Sequence, residues 1–309
     1  MSAPGVLTIG FVGLGVMGVP MARHLGQAGH RVQGFDIAPA ALVRLAGALP
    51  GARRCTSAFE AADAADVVFT MLPHGSAVRD CVIGERGIAA ALRPGALLID
   101  TSSSEPWLTR DTAAAVHARG AAMIDAPVSG AVWGAEAAEL VFMVGGAPGD
   151  VQRARPLLDA MGRQVFHLGP LGAGHTMKCL NNLVTAMTLT ATAEALAVGT
   201  RCGLDPKVMT DVLNESTGGS WITRTHIHQR VLSRSFDDPF KLELMLKDIG
   251  IALGVASEAG VAMPLCAAGE PMWRAAHQAA GAGASVSHLV RWVEQSAGVE
   301  IRSPEGPAT

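Results

Sequence analysis

Between residue 6 and about residue 168, short runs of aliphatic and β-branched residues alternate with stretches whose apolar positions recur every three or four residues. The short runs predict strands at 7–12, 31–35, 67–71, 96–100, 121–125, 141–144 and 164–167. The helical period predicts helices at 17–28, 39–46, 106–118 and 150–161. Strands alternating with helices imply an α/β fold built on a doubly wound, mostly parallel sheet. Its end near 141–167 reads as a hairpin and is expected to be less regular. After Gly169 the strand signals stop. A long helix is predicted over 175–202, then helices at 206–215, 240–259, 264–280 and 287–295, with Gly203, Gly260 and Gly281 as stop signals. The long helix carries apolar and small residues around most of its circumference. That pattern predicts burial, in part by another subunit. The change of pattern near Gly169–Gly174 places a boundary between residues 1–169 and 170–309. The tail 303–309, rich in Pro, Gly and polar residues, is expected to fray.

Composition narrows the class of function. The chain has 309 residues, 49% hydrophobic and 17% charged, with net charge -3 and no long run of either sign. That balance lacks the basic footprint of a nucleic-acid-binding protein. There is no tyrosine and only 4% aromatic residue, which disfavours a surface that stacks bases or sugars. The five cysteines, Cys55, Cys81, Cys179, Cys202 and Cys266, are scattered and odd in number, without a CxxC. A reduced, cytoplasmic compartment is the simplest reading. The apolar start at 6–22 lacks a preceding cation and reads as a strand and turn rather than a secretory signal. No uncharged apolar run reaches the ~18 residues of a membrane span. The nearest, 183–199, contains Glu194 and several threonines.

Four constellations carry chemistry. Gly13-Leu14-Gly15-Val16-Met17-Gly18 is a GxGxxG that follows a predicted strand and opens a predicted helix. Its first glycine permits a tight turn, its second lets a pyrophosphate approach the backbone, and its third lets helix and strand pack closely. The helix N-terminus supplies N–H groups for phosphate. Without that context the pattern is an ordinary glycine-rich turn. Asp36 follows 23 residues after Gly13, at the end of the second strand. Its carboxylate suits the adenine-ribose hydroxyls and repels a 2′-phosphate, and Ile37-Ala38-Pro39 offers no cation. NAD is therefore expected over NADP. Further unusual residues stand at predicted strand ends: Met71-Leu72-Pro73-His74, Asp100-Thr101-Ser102-Ser103-Ser104 and Asp125-Ala126-Pro127-Val128-Ser129-Gly130. Ligands bind in that crevice of open α/β sheets, although Pro and Ser also simply start loops and cap helices.

The third constellation runs from Gly172 to Asn182. His175, Lys178 and Asn182 share one helical face at i, i+3 and i+7. By spacing alone, Lys178 and Asn182 fit either a catalytic pair in a cleft or a solvated lysine with an amide in a polar seam. His175 reads as a lining or packing residue. His226-Ile227-His228 is the only HxH; on a helix its rings point apart, which favours two surface histidines over a metal site, and no HExxH occurs. The fourth is Lys247-Asp248, which interrupts an apolar helical face and otherwise reads as a surface ion pair. The polar loop 215–221, ending in Trp221, fits a pocket closure or plain packing.

On these segments together the chain resembles the β-hydroxyacid dehydrogenases, the group that contains 3-hydroxyisobutyrate dehydrogenase and tartronate semialdehyde reductase. The resemblance covers about residues 7–300. It rests on the glycine turn with Pro20-Met21-Ala22, on Asp125 to Gly130, on Gly172 to Asn182, and on Lys247-Asp248. It implies a Rossmann-type NAD-binding domain, residues 1–169, joined by a long helix to an all-α substrate and oligomerisation domain, residues 170–309, in a homodimer or homotetramer. It implies that Lys178 is catalytic and that Ser103, Ser129, Gly130 and Asn182 bind substrate. Gly13, Leu14, Gly15, Met17, Gly18, Asp36, Met71, Leu72, Pro73, Ser103 and Lys247 are implied to bind NAD, with no metal. The implied reaction is reversible, NAD-dependent oxidation of a small β-hydroxy acid to its semialdehyde. A semialdehyde with a sulfonate head group is the alternative substrate. A non-catalytic dinucleotide sensor is the alternative of another class, and it would not need Lys178. The chain departs from the family where Ala131 replaces the second glycine of Ser-Gly-Gly, where Ala138-Glu139 replaces Gly-Thr, and where Ser103 replaces threonine. Asn181 stands where 6-phosphogluconate dehydrogenases carry histidine.

Overall fold

The computed structural model describes residues 5–303, so most of the tail expected to fray lies outside the described residues. The chain divides into two compact units, one running through Lys178 and one beginning at Cys179.

The first unit is a nine-stranded sheet with helices. Its strands are β1 Thr8–Val12, β2 Arg31–Phe35, β3 Arg53–Arg54, β4 Val67–Thr70, β5 Leu97–Asp100, β6 Ala122–Asp125, β7 Val128–Ser129, β8 Leu140–Gly145 and β9 Gly162–Gly169. The order β3-β2-β1-β4-β5-β6 is parallel throughout. β8 then joins antiparallel, touching β6 at the pair Asp125↔Gly145 and β7 at two pairs, and β9 runs parallel to β8. The irregular end is therefore a local reversal of direction rather than a simple hairpin.

Helices on both faces explain why the central strands read as continuous apolar runs. Neighbouring residues of one strand enter opposite cores. Phe69, Ile99 and Ile124 pack with Ile9, Phe11 and Leu25 on one face. Val68, Leu98 and Met123 pack with Val82 and Ile88 on the other. The Phe11 and Phe69 rings stack at 5.6 Å. The helices Gly18–Gln27, Pro39–Ala48, Pro106–His117 and Pro148–Asp159 fall close to their predicted places. Four shorter ones, Ala58–Ala62, Gly75–Ile83, Ile88–Ala91 and Ala131–Ala137, escaped the apolar period because they are short and rich in small residues. Local capping fixes the first of them: Ser57 Oγ accepts from the Glu60 N–H, and Glu60 accepts from the Thr56 N–H.

The second unit is helical. It contains the greater part of the long helix Ala173–Arg201, then Pro206–Glu215, Leu242–Glu258, Pro264–Ala280 and His288–Ala297. A π-helix, Ile222–Leu232, follows the polar loop and was not anticipated. Leu183, Ala186, Leu189, Ala193, Leu196 and Ala197 of the long helix are buried. Trp273 Nε1 donates to Thr190 Oγ1 at 3.0 Å. In the single chain this helix is not buried all round: Val184 and Val198 are each 65% exposed. Among the described residues this one helix is long and apolar enough to cross a membrane by length and composition; half of its most apolar stretch is buried in the protein, as in a core helix.

Candidate active site

Parallel strands deliver their carboxyl ends to one edge of the sheet, and the predicted residues of the first unit stand there. Gly13 closes the turn after β1 at φ +96, and a β-carbon on it would lie 2.2 Å from the Met71 carbonyl oxygen. Beside Gly15 nothing lies within 4 Å of the corresponding position, so the backbone is open to a close-approaching ligand. The following helix, Gly18–Gln27, has no acid in its first turn, and Met17 provides no side-chain cap. The Val19 N–H donates to the Gly15 carbonyl oxygen at 3.2 Å and Pro20 has no N–H, but no acidic side chain competes with an anion at this helix end. Asp36 Oδ2 accepts from the Leu14 N–H at 2.7 Å and its Oδ1 from the Ala38 N–H at 2.8 Å. The carboxylate is thus fixed beside the turn with lone pairs to spare for ribose hydroxyls. These residues fit the adenosine and pyrophosphate of a dinucleotide.

One cation beside this turn was missed. Arg44, from the helix Pro39–Ala48, donates to the Leu14 carbonyl oxygen at 3.3 Å. Arg44 stands beyond the stretch directly after Asp36, and the helix brings it back toward the turn.

Met71, Leu72 and Pro73 follow β4, and the Leu72 N–H donates to Ser102 Oγ at 2.9 Å. This bond ties the loop after β4 to the serine-rich loop after β5, which carries Ser103. Ser129 ends β7, and Gly130 at φ +136 opens the helix Ala131–Ala137. Lys178 follows His175 by three residues in the long helix.

Beneath this edge lies a buried polar cluster. Asp100 and Asp125 are register partners at the ends of β5 and β6, both fully buried. Asp100 accepts from Thr70 Oγ1 at 2.9 Å, the Ser102 N–H at 3.0 Å and Ser104 Oγ at 3.0 Å. Asp125 accepts from the N–H groups of Gly172 and His175, each at 2.7 Å, and so caps the start of the long helix. Burial pushes the Asp125 carboxyl up, while the His175 ring and the two N–H donors pull it back. Both aspartates were visible as strand-end residues. Their burial and their shared histidine were not.

In the second unit, Asn182 Nδ2 donates to Asp248 Oδ2 at 2.6 Å, and Asn181 Nδ2 donates to Asn182 Oδ1 at 3.1 Å. Lys247 Nζ lies 3.1 Å from Asp248 Oδ1. Asp248 is 1% exposed, so this is no surface pair. It fixes Asn182 to the helix Leu242–Glu258. Cys179 is buried, which pushes its thiol up to about 12, with Asp248 adding to the effect; it is not a nucleophile at neutral pH. His226 and His228 turn to different carboxylates, Asp238 at 3.1 Å and Asp211 at 3.5 Å. No group of three or more His, Cys, Asp or Glu among the described residues could hold a metal ion.

Residues 8–169 match the family described as the NAD-binding domain of 6-phosphogluconate dehydrogenase. Residues 172–293 match the one described as NAD-binding of NADP-dependent 3-hydroxyisobutyrate dehydrogenase. The chain belongs to the β-hydroxyacid dehydrogenase family, NAD-linked oxidoreductases that act on a CH–OH group. It is 41% identical to a 3-hydroxyisobutyrate dehydrogenase of Pseudomonas aeruginosa over 263 residues, covering 83% of this chain and 88% of the relative. It is 40% identical, with the same coverage, to an NAD-dependent L-serine dehydrogenase of that organism. A solved 3-hydroxyisobutyrate dehydrogenase of Mycobacterium tuberculosis with L-serine superposes with a TM-score of 0.86 at 37% identity, over 93% of this chain and 98% of that one.

Proposed function

We propose that the chain oxidises a small acid carrying a primary alcohol β to its carboxylate, giving the semialdehyde, with NAD as the preferred acceptor and Lys178 as the acid–base group. Both relatives' names, 3-hydroxyisobutyrate and L-serine, describe that substrate skeleton. The observation that carries the reading is the anchoring of the helix that bears Lys178: Asp125, at the sheet edge beside the serine loop, caps that helix one turn before the lysine.

NAD supplies, when bound, a hydride acceptor at its nicotinamide ring. Lys178 Nζ takes the hydroxyl proton as the C–H hydride leaves, and returns it in the reverse direction. Ser103 and Asn182 orient the reacting oxygen, and Ser129 with the Gly130 backbone holds the carboxylate. Gly13, Leu14, Gly15, Met17 and Gly18 form the turn that receives the pyrophosphate, Asp36 holds the ribose, and Met71, Leu72, Pro73 and Lys247 hold the rest of the cofactor. In this reading residues 1–169 form the NAD domain and 170–309 the substrate and oligomerisation domain of a cytoplasmic homodimer or homotetramer.

The test is Lys178→Ala. It should lower kcat by about 10²–10⁴-fold while NAD affinity stays within about twofold. Turnover near that of the parent, on a substrate the parent uses well, sinks the assignment. A substrate panel that includes sulfonate semialdehydes distinguishes the alternative head group.

A further inference from the structure

His74 closes the loop that follows β4 and stands directly before the helix Gly75–Ile83. Its ring is the cap of that helix. Nδ1 accepts from the Ala77 N–H at 3.1 Å, and Ser76 Oγ lies 2.8 Å from the same nitrogen. A backbone N–H can only donate, so Nδ1 carries a bare lone pair and the ring hydrogen is on Nε2. Helices are ordinarily capped by Ser, Thr, Asp or Asn, whose oxygens accept throughout the neutral range. An imidazole takes up a second proton roughly between pH 5 and 8. It then has two N–H groups and no acceptor, and its charge opposes the positive end of the helix. His74 is exposed, so solvent supplies that proton.

We propose that His74 is a positioning residue for the cofactor loop Met71–Pro73, and that its titrating cap makes NAD affinity fall in mild acid. The proposal rests on the reading that this loop holds NAD. The loop lies against the glycine turn: a β-carbon on Gly13 would lie 2.2 Å from the Met71 carbonyl oxygen and 3.0 Å from Leu72 Cδ2. Its strand end is fastened by the Met71 N–H, which donates to the Val12 carbonyl oxygen at 2.9 Å, and by the Leu72 N–H on Ser102 Oγ at 2.9 Å. Its helix end is fastened by His74 and by Glu105, whose Oε2 accepts from the Gly75 N–H at 3.2 Å. Pro73, between the two ends, has no N–H to give. Protonation of the ring removes the His74 bond and loosens the loop against the turn. The charged groups around the helix do not replace that bond. Glu105 is engaged with Gly75, and Arg79 and Asp80 of the same helix lie 4.0 Å from each other. Arg110 lies beside Gly172. Asp100 accepts from Ser104 Oγ at 3.0 Å and faces His175 Nε2 at 3.6 Å. The Cys81 thiol is pushed up to about 11 by burial and by Asp100, and stays neutral.

The test measures NAD dissociation constants of the full chain by titration calorimetry at pH 8 and pH 5.5, for the parent, His74→Asn and His74→Ala. Loss of a cap shifts a local equilibrium about fivefold, so the parent should bind NAD about fivefold more weakly at pH 5.5 than at pH 8. His74→Asn, a cap that does not titrate, should match the parent at pH 8 and stay within about twofold of that value at pH 5.5. His74→Ala should be weak at both. An equal response to pH in the parent and His74→Asn overturns the proposal, and so does a His74→Ala that binds NAD at pH 8 as the parent does. Tighter binding at pH 5.5 that His74→Asn abolishes would mean that the ring acts as a charge on the phosphates, and overturns it too. In amide NMR, the Ala77 signal of the NAD-free parent should move as the ring titrates; an unmoved signal overturns the cap. The Leu72 amide signal, followed as NAD is added at pH 8, reports on the loop reading alone. If it does not move, that reading fails and the proposal with it. If it moves while affinity ignores both pH and cap, the reading stands and the proposal is overturned.

Discussion

At the scale of single residues, the cofactor end of the site turns on two opposed charges. Asp36 is locked by two backbone N–H groups, and Arg44 reaches the same turn from the neighbouring helix. The carboxylate repels a 2′-phosphate, whereas the guanidinium would attract one. Asp36→Ala should therefore narrow the preference for NAD over NADP in kcat/KM by about tenfold, which is about 1.4 kcal/mol. Adding Arg44→Ala should take back much of the gain in NADP use. Steady-state kinetics with both cofactors checks this, and an unchanged ratio in Asp36→Ala would mean that the carboxylate does not face the ribose.

At the scale of elements, the departures from the family pattern acquire a physical meaning. Ala131 and Ala138 both have positive φ, at 53° and 58°. They bracket the short helix Ala131–Ala137, and they stand where the family pattern carries glycine. An L-residue held in the left-handed region costs roughly 1–2 kcal/mol. Part of that is offset because glycine has more freedom to lose on folding. Ala131→Gly and Ala138→Gly should each raise stability by about 0.5–1 kcal/mol, read as a higher denaturant midpoint at unchanged slope. Destabilisation by both would show that packing of the methyl groups outweighs the backbone strain.

At the scale of the whole molecule, the long helix leaves a stripe unpartnered in the single chain. Val184 and Val198 are strongly exposed, and Ala191 between them is exposed too, at seven-residue spacing. Val208 and Val212 of the helix Pro206–Glu215 are exposed as well. Residues seven apart return to one side of a helix, and such a stripe matches a second copy of itself. The double variant Val184→Glu with Val198→Glu should lower the mass seen by light scattering while far-ultraviolet dichroism is kept. A parent that is already monomeric, or a variant of unchanged mass, would remove this stripe from the assembly.

The sequence by itself determined the α/β alternation, the strand-end placement of the glycine turn, Asp36, Met71–Pro73 and Ser103, and the all-helical second half. Each of these follows from a short-range signal: an apolar period, a turn glycine, a spacing within one element. Tertiary structure decided the rest. Asp100 and Asp125 lie 25 residues apart in the chain, yet they meet one histidine because β5 and β6 pair in register. Asn182 and Asp248, on separate helices, bond at 2.6 Å, which turned an apparent surface pair into a buried tether. Neither could be read along the chain, because periodicity tells which side of an element a residue occupies but not which element covers it. The short helices and the π-helix escaped for a related reason. The short helices carry too few residues for a pattern, and the eleven-residue π-helix does not follow the 3.6-residue period by which helices are read.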